Sequence, residues 1–269
     1  MTDVHKKILA ACSSGNIYTL KSLFQEFQIG PDHPQSVYSL DQNLPEGEQL
    51  PVGEHMFVAA IEGEQAGVIA FLSDHFSQAS LYGYPMQAAI DTGNTTVLRA
   101  VCKCDPASAS AELGDDSSIN ALGYAASKKN GAELVKVLLD GGADPNTIPP
   151  LRLPASWNVS AAILAGLPVS TFEQFFDAGY EGNDPWAVTF AVEKKRADIL
   201  EVLFARGKEF ADAQFPSEKE MIAIANKDND VSMIAAIKRA YAMLSKRKPD
   251  RKAGLFASFM GRMRSRSRS

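Results

Sequence analysis

The centre of the chain reads Ile119-Asn-Ala-Leu-Gly-Tyr-Ala-Ala126, then Ser-Lys-Lys-Asn-Gly-Ala-Glu-Leu-Val-Lys-Val-Leu-Leu139, then Asp-Gly-Gly-Ala-Asp-Pro-Asn146. The first part ends in small residues, which allow a second helix to approach closely. The second part places Leu134, Val135, Leu138 and Leu139 at helical spacing. Gly142 follows where a left-handed helix cap favours glycine. This stretch therefore predicts two short helices packed together and then a turn.

Weaker copies of this pattern occur on both sides of it. We use as an anchor the position that is equivalent to Ala126, the second of the two small residues in the central copy. The anchors lie at residues 12, 60, 90, 126, 163, 192 and 225, and after the first gap they step by about 29 to 37 residues. The inner helices also carry small residues just before the anchor, at Ala59, Ala89, Ala125, Ala162 and Ala191. Because one helix pair cannot bury its apolar face alone, the copies are expected to stack.

The central copy resembles the ankyrin repeat, whose pattern opens T-P-L-H-x-A-A-x-x-G and closes L-L-x-x-G-A-D-P-N. Gly142-Ala-Asp-Pro-Asn146 matches the closing motif at every position, directly after Val137-Leu-Leu139. The opening departs from it, since Asn120, Ala121 and Gly123 stand where the family has threonine, proline and histidine. The resemblance implies an all-α ankyrin-repeat solenoid of about six to seven helix-turn-helix repeats joined by short hairpins or loops.

The same pattern divides the chain into four parts. Residues 1–30 are predicted to form an N-terminal capping repeat, and residues 53–244 the remaining ankyrin repeats. Residues 31–52 are rich in proline and acid and lack either periodicity, which predicts an inserted loop. Residues 245–269 form a basic, Arg/Ser-rich tail that we expect to be disordered in isolation.

Charge separates this tail from the body of the chain. The tail has nine basic residues and one acidic residue, a balance of +8, which leaves 18 basic and 31 acidic residues elsewhere, a balance of −13. An acidic body disfavours nucleic acid, so contact with nucleic acid is expected only through the tail.

Four interpretations of the tail remain open. The first is a nuclear import signal, for which the targeting residues are Lys246, Arg247, Lys248, Arg251 and Lys252. The second is a basic amphipathic helix for an anionic membrane or a partner groove, with apolar residues Leu255, Phe256, Phe259, Met260 and Met263. The third is a phosphorylation switch in the terminal Arg-Ser alternation. The fourth is a solvated tail without a partner.

Composition and motifs favour a cytoplasmic and/or nuclear binding protein. The start has no apolar signal-peptide region, no run of 18 apolar residues predicts a transmembrane segment, and the three cysteines, Cys12, Cys102 and Cys104, are expected to be free thiols. No phosphate-binding loop, catalytic motif or complete zinc motif occurs. We therefore expect no enzyme activity, no cofactor, no metal site and a monomeric chain.

One register position suggests where a partner binds. Six residues before the anchor, where the family has threonine, the third to sixth copies have Tyr84, Asn120, Trp157 and Trp186. Tryptophan and tyrosine are enriched at binding hot spots, so this row of residues is a candidate contact surface for a protein partner. The alternative is that the rings pack within the fold.

The expected function is thus a protein–protein interaction scaffold or adaptor that binds through the hairpin and inner-helix surface. Two other functions remain open. One is an auxiliary or noncanonical catalytic factor in an enzyme pathway such as fungal secondary metabolism, since the divergent repeats resemble degenerate ankyrin proteins of filamentous fungi. The other is a nuclear regulatory factor that acts through the basic tail.

Overall fold

The computed structural model describes residues 3–36, 50–77, 79–114, 118–211 and 213–244. These ranges hold fourteen α-helices in consecutive pairs, so the predicted, mostly helical fold is confirmed. The pairs are α1 (Asp3–Ser13) and α2 (Ile17–Glu26), α3 (Gly53–Glu62) and α4 (Ala66–His75), α5 (Tyr84–Asp91) and α6 (Thr95–Cys104), α7 (Ala121–Ala126) and α8 (Gly131–Asp140), α9 (Asn158–Leu164) and α10 (Val169–Asp177), α11 (Ala187–Glu193) and α12 (Ala197–Gly207), and α13 (Glu218–Lys227) and α14 (Val231–Leu244).

All seven sequence anchors lie in the last turn of an odd-numbered helix, and all seven are buried. They are Cys12, Ala60, Ile90, Ala126, Ile163, Val192 and Ala225. The small residues before them are fully buried at Ala89, Ala125, Ala162 and Ala191, whereas Ala59 is only half-buried. Small side chains at these positions leave room for the neighbouring helices.

The helices form two layers. Each odd-numbered helix packs against the next odd-numbered one, from α1 to α13, and each even-numbered helix packs against the next even-numbered one from α4 to α14. The two layers share a core of aliphatic and phenylalanine side chains, including Leu134, Leu138, Phe172 and Phe175. This arrangement explains why each helix carries one apolar stripe towards its pair partner and its neighbours.

Short turns join the two helices of each pair. Six of these seven turns contain a residue with positive φ, namely Gly15, Glu64, Gly93, Gly166, Lys195 and Asn229. Asparagine side chains cap the second helices at Asn16 and Asn94. Past second helices, Gly142 and Gly179 have φ values of 94° and 96°, as predicted for left-handed caps.

The segments between pairs are more irregular. One holds 3-10 helix Pro106–Ser110 and strands β1 (Glu112–Leu113) and β2 (Ile119–Asn120), which pair antiparallel with Glu112 opposite Asn120. Another holds 3-10 helix Pro154–Ser156. Within the described residues these two strands form the only sheet.

Two histidine side chains form hydrogen bonds with the backbone in, and directly before, the described part of the predicted insertion. Nε2 of His75 lies 2.9 Å from the Ile29 carbonyl oxygen, and Nε2 of His33 lies 2.8 Å from that of Pro51. Because a carbonyl oxygen only accepts, both Nε2 atoms carry the proton. Residues 29–36 and 50–52 contain no helix or strand. Residues 37–49 lie outside the described part of the chain, as does the tail 245–269 with its targeting residues Lys246, Arg247, Lys248, Arg251 and Lys252.

Overpacking at Ala125 should destabilise the protein. Ala125 is fully buried in α7, so Ala125→Leu adds three carbon atoms where neighbouring helices already meet. We expect a loss of about 1–3 kcal/mol in the free energy of unfolding. Urea denaturation followed by circular dichroism measures it, with the exposed Ala70→Leu in α4 as the matched control. Equal stability of the two variants would contradict the packing argument.

The three free cysteines should differ in reactivity. Burial raises the pKa of Cys12 to about 12 and is the main cause that raises the pKa of Cys102 to about 11, while Cys104 is only half-buried. The thiolate is the reactive form, so N-ethylmaleimide near neutral pH should label Cys104 first and the other two only after unfolding. Mass spectrometry of the labelled peptides tests this order, and early labelling of Cys12 would contradict it.

Candidate functional site

The segments between helix pairs are joined to one another along one side of the molecule. We call this side the loop edge and define it as the described residues of 27–36, 50–52, 76–84, 105–120, 141–157, 178–186 and 208–217. The opposite side, formed by the short turns within pairs, is the turn edge. Both edges follow from the pairing, because each odd-numbered helix starts at the loop edge and each even-numbered helix returns to it.

Hydrogen bonds link the first part of the loop edge. The Ser77 amide donates to the Pro31 carbonyl oxygen (3.1 Å). The Leu81 amide donates to Asp105 Oδ2 (2.8 Å), and the Glu112 amide donates to the Tyr82 hydroxyl (3.1 Å). The first three segments between helix pairs therefore form one connected surface.

The middle of the loop edge is joined mainly through asparagine. Asn120 Nδ2 donates to the Thr147 carbonyl oxygen (3.0 Å), and Asn158 Nδ2 to that of Pro145 (3.3 Å). Asn146 Nδ2 donates to the Gly179 carbonyl oxygen, and Asn146 Oδ1 accepts from the Glu181 amide, both at 2.9 Å.

The last segment, residues 208–217, is joined to residues 178–186 by a backbone hydrogen bond. The Gln214 amide donates to the Gly182 carbonyl oxygen (2.8 Å). Tyr241 in α14 donates its hydroxyl hydrogen to the Pro216 carbonyl oxygen. The connected surface thus extends to the end of the described chain.

Exposed apolar side chains concentrate on this edge. Of the eight large hydrophobic side chains that are exposed in the described residues, six belong to the loop edge: Tyr82, Tyr84, Ile148, Leu151, Leu153 and Trp186. The other two, Tyr18 and Val231, lie at the starts of α2 and α14 on the turn edge. Sequence reasoning missed the three aliphatic residues, because residues 147–153 show neither helical nor strand periodicity.

The predicted row of four residues is only partly at the surface. Tyr84 is 58% exposed and Trp186 39%, but Asn120 is 2% and Trp157 8% exposed. The prediction that all four residues form a contact surface for a partner therefore needs correction, since the side chains of Asn120 and Trp157 are buried. The Asn120 side chain holds the neighbouring segment through Thr147, and the buried Trp157 Nε1 has no hydrogen-bond partner among the described residues.

The close approach of one segment to α7 explains the burial of Trp157. A Cβ atom on Gly123 would lie 3.3 Å from the Ser156 carbonyl oxygen, so glycine lets this segment press against the helix. Trp157 follows directly after the 3-10 helix that contains Ser156 and is carried inward with it. This contact also gives a reason for glycine at position 123, where the family pattern has histidine.

Asp184 is a buried carboxylate that sequence reasoning did not select. Its Oδ2 accepts from the Ser160 amide (2.8 Å), and its Oδ1 accepts from the Ser160 hydroxyl and the Trp186 amide (both 2.9 Å). The Ala187 amide is a further donor. Asp184 thus caps the first turns of α9 and α11 together, where helix N-termini favour a negative charge.

Opposing effects set the pKa of this carboxyl group. Burial raises the pKa of Asp184 to about 6, while the hydrogen bonds from Trp186, Ser160 and Ala187 act in the opposite direction. Burial also raises the pKa of the neighbouring Tyr180, whose hydroxyl oxygen accepts from the Asp184 amide at 3.2 Å. This polar cluster accepts the Trp186 amide and thereby fixes the backbone at that end of the row.

The loop edge carries more acid than base. Its described residues include seven carboxylates, at Asp32, Asp105, Glu112, Asp144, Glu181, Asp184 and Glu209, and two cations, at Arg152 and Lys208. None of these nine groups forms an ion pair with another described residue. The loop edge therefore combines apolar side chains with six carboxylates that form no ion pair with a described cation, apart from Asp184, which is buried and hydrogen-bonded.

The turn edge has the opposite character. Asp91 accepts from the Tyr124 hydroxyl (2.8 Å) and pairs with Lys128 Nζ (2.6 Å). Lys195 pairs with Asp228 (3.0 Å), and Asn94 Nδ2 donates to Glu64 (2.6 Å). Charged groups on this side are largely satisfied by one another.

Among the described residues, no group of three or more His, Cys, Asp or Glu side chains lies close enough together to hold a metal ion. No helix in those ranges is both long enough and apolar enough to span a lipid bilayer. In comparisons with known proteins, no family matches the chain, and no curated protein matches it either.

Proposed function

We propose that this chain is an ankyrin-type repeat scaffold that binds a protein partner through the loop edge. Three features support the repeat assignment: the seven buried anchors, the left-handed turns within pairs, and the Gly142-Ala-Asp-Pro-Asn146 closing motif. From the second pair onward each helix pair contacts the next through both layers, and the first pair contacts the second through α1 and α3, as expected for stacked repeats. The fold alone does not name a ligand, so the function has to be argued from the surface.

The observation that carries the binding proposal is the concentration of exposed apolar side chains on one edge. Monomeric proteins rarely expose contiguous apolar patches without an interaction that covers them. Trp186 and Tyr84 are the residue types that most often dominate binding energy. Hydrogen bonds fix the backbone beside Trp186, as between its amide and Asp184, which limits the backbone entropy lost on binding.

Replacing the exposed rings should weaken the partner complex. A partner is first identified by affinity capture with the full chain as bait, and its affinity is then measured by isothermal titration calorimetry. We expect Trp186→Ala to lower the affinity about thirtyfold, corresponding to about 2 kcal/mol, and Tyr84→Ala to lower it less. The expected reason is the loss of a large, well-supported contact area.

Tyr18 provides the matched control, because it is an exposed aromatic residue on the turn edge. Tyr18→Ala should leave both affinity and the unfolding midpoint unchanged. Unaltered affinity of both Trp186→Ala and Tyr84→Ala would exclude the loop edge as the contact surface. A drop caused equally by Tyr18→Ala would point to a non-specific apolar association.

A further inference from the structure

The chain leaves its described part beside the loop edge. Helix α14 ends at Leu244, and three residues earlier Tyr241 donates to the Pro216 carbonyl oxygen. The Tyr241 ring also packs edge-on against Phe204, with the ring centroids 4.8 Å apart. The segment that contains Pro216 is hydrogen-bonded through Gln214 to Gly182, four residues before Trp186. Leu244, the last described residue of this part of the chain, therefore lies at the end of α14 that reaches the loop edge.

The composition of residues 245–269 complements this surface in two respects. Nine basic residues and one acidic residue complement the loop edge, where six carboxylates besides the buried Asp184 stand against two cations. Leu255, Phe256, Phe259, Met260 and Met263 supply apolar side chains of the kind that cover exposed tryptophan and leucine. Opposite charges steer such an encounter, and apolar burial then holds it.

Reach and concentration both favour an intramolecular contact. Phe259 follows Leu244 by 15 residues, and an extended chain spans about 3.3 Å per residue, which makes about 50 Å available. Packed helices lie about 8–10 Å apart, so residues 148–153, two pairs before α14, are within that reach. A tethered segment has an effective concentration of the order of millimolar, so even weak contacts become populated.

We propose that residues 245–269 bind in cis to the loop edge, at Trp186 and at residues 148–153. This inference rests on the proposed function in one respect: the segment would occupy the surface to which the partner binds. The partner would then have to displace the segment. Phosphate groups added to the Ser residues of the segment would offset its positive charge and so weaken its attraction to the loop edge.

Photo-crosslinking in the full chain tests this proposal. Photoreactive benzoylphenylalanine replaces Phe259, the dilute protein is irradiated, and mass spectrometry locates the adducts. We expect adducts within the same chain on residues 148–153 and 181–186, with a yield that falls at high salt, where charge attraction is screened. Glu181→Lys should lower that yield at least about threefold, because it reverses an exposed charge next to the site.

Matched variants separate the specific contact from general attraction. Glu173→Lys, an exposed acid on α10, changes the net charge equally and should leave the yield unchanged. Leu151→Ser should lower the yield without altering charge, and unchanged melting of each variant shows that it still folds. The proposal would be overturned by adducts that are spread evenly over the even-numbered helices. It would also be overturned if neither Glu181→Lys nor Leu151→Ser changed the crosslinking yield. Adducts between chains that increase with protein concentration would also overturn it, in favour of a second copy.

The outcome also distinguishes this inference from the proposed function. If the adducts are absent and Trp186→Ala still weakens the partner complex, the cis contact is wrong and the scaffold function stands. If the adducts form as expected while partner affinity is independent of Trp186, the cis contact stands and the proposed partner surface is wrong.

Discussion

Asp184→Ala is expected to lower the free energy of unfolding by about 3–5 kcal/mol, since a buried donor that loses its acceptor costs about 1–3 kcal/mol. The variant leaves the amides of Ser160, Trp186 and Ala187 without their carboxylate acceptor, in a place where almost no water reaches. It also removes the negative charge between the N-termini of α9 and α11.

Urea denaturation followed by circular dichroism measures this loss. Glu181→Ala is the matched control, because it removes an exposed carboxylate from the same segment. The control should change stability by less than about 0.5 kcal/mol, as exposed substitutions usually do. If both variants were equally stable, the capping role assigned to Asp184 would be wrong.

The same residue predicts a pH dependence with a definite sign. The pKa of Asp184 is raised from 3.8 to about 6 in the folded protein, so the folded state holds the proton more tightly than the unfolded chain. The resulting stabilisation is fully present below about pH 4 and is lost as the pH rises through about 6. A shift of this size corresponds to about 3 kcal/mol.

Asp184→Asn isolates this contribution, because the amide does not titrate and other groups cancel in the comparison. Relative to Asp184→Asn, the unsubstituted protein should lose stability as the pH rises from about 4 to about 7. The amide nitrogen also faces backbone donors, so the variant is less stable overall, but its pH profile should be flatter. A difference that increases with pH would mean that the hydrogen bonds outweigh burial.

Helix pairing could be predicted from the sequence because it depends on local patterns. The anchors, the apolar stripes and the glycines at 142 and 179 each reflect a requirement within one pair: close helix contact, one buried face, or a left-handed cap. Each of these requirements acts over a few residues. The structure therefore has the anchors in the predicted helices, including the weaker copies around Val192 and Ala225.

The loop edge could be predicted only in part, because exposure there depends on how neighbouring segments pack. A shared register position indicates that Tyr84, Trp157 and Trp186 each lie at a helix start, but it does not give their depth. The segment before Trp157 presses against α7, whereas Trp186 stays at the surface. Asp184 could have been found as an aspartate three residues before the start of a helix, since such residues often bond the backbone ahead of them.

Trp157→Ala should be strongly destabilising, in contrast to Trp186→Ala. Trp157 is buried at the start of α9, so truncation creates a cavity, and buried tryptophan replaced by alanine typically costs about 3–5 kcal/mol. Trp186 is partly exposed, and its loss should lower stability by about 1 kcal/mol or less. Urea denaturation of both variants gives the comparison directly.

Trp157→Phe separates packing from polarity at the same position. The indole Nε1 is buried without an acceptor in the part of the chain that the structure describes, so phenylalanine removes an unfavourable buried donor while it keeps much of the apolar volume. We expect this variant to lose about 1 kcal/mol or less, because the smaller ring is offset by the relief of that donor. If Trp157→Ala retained full stability but bound the partner weakly, the side chain would be a contact residue. If Trp157→Phe were as unstable as Trp157→Ala, the indole N–H would be making a bond that stabilises the fold.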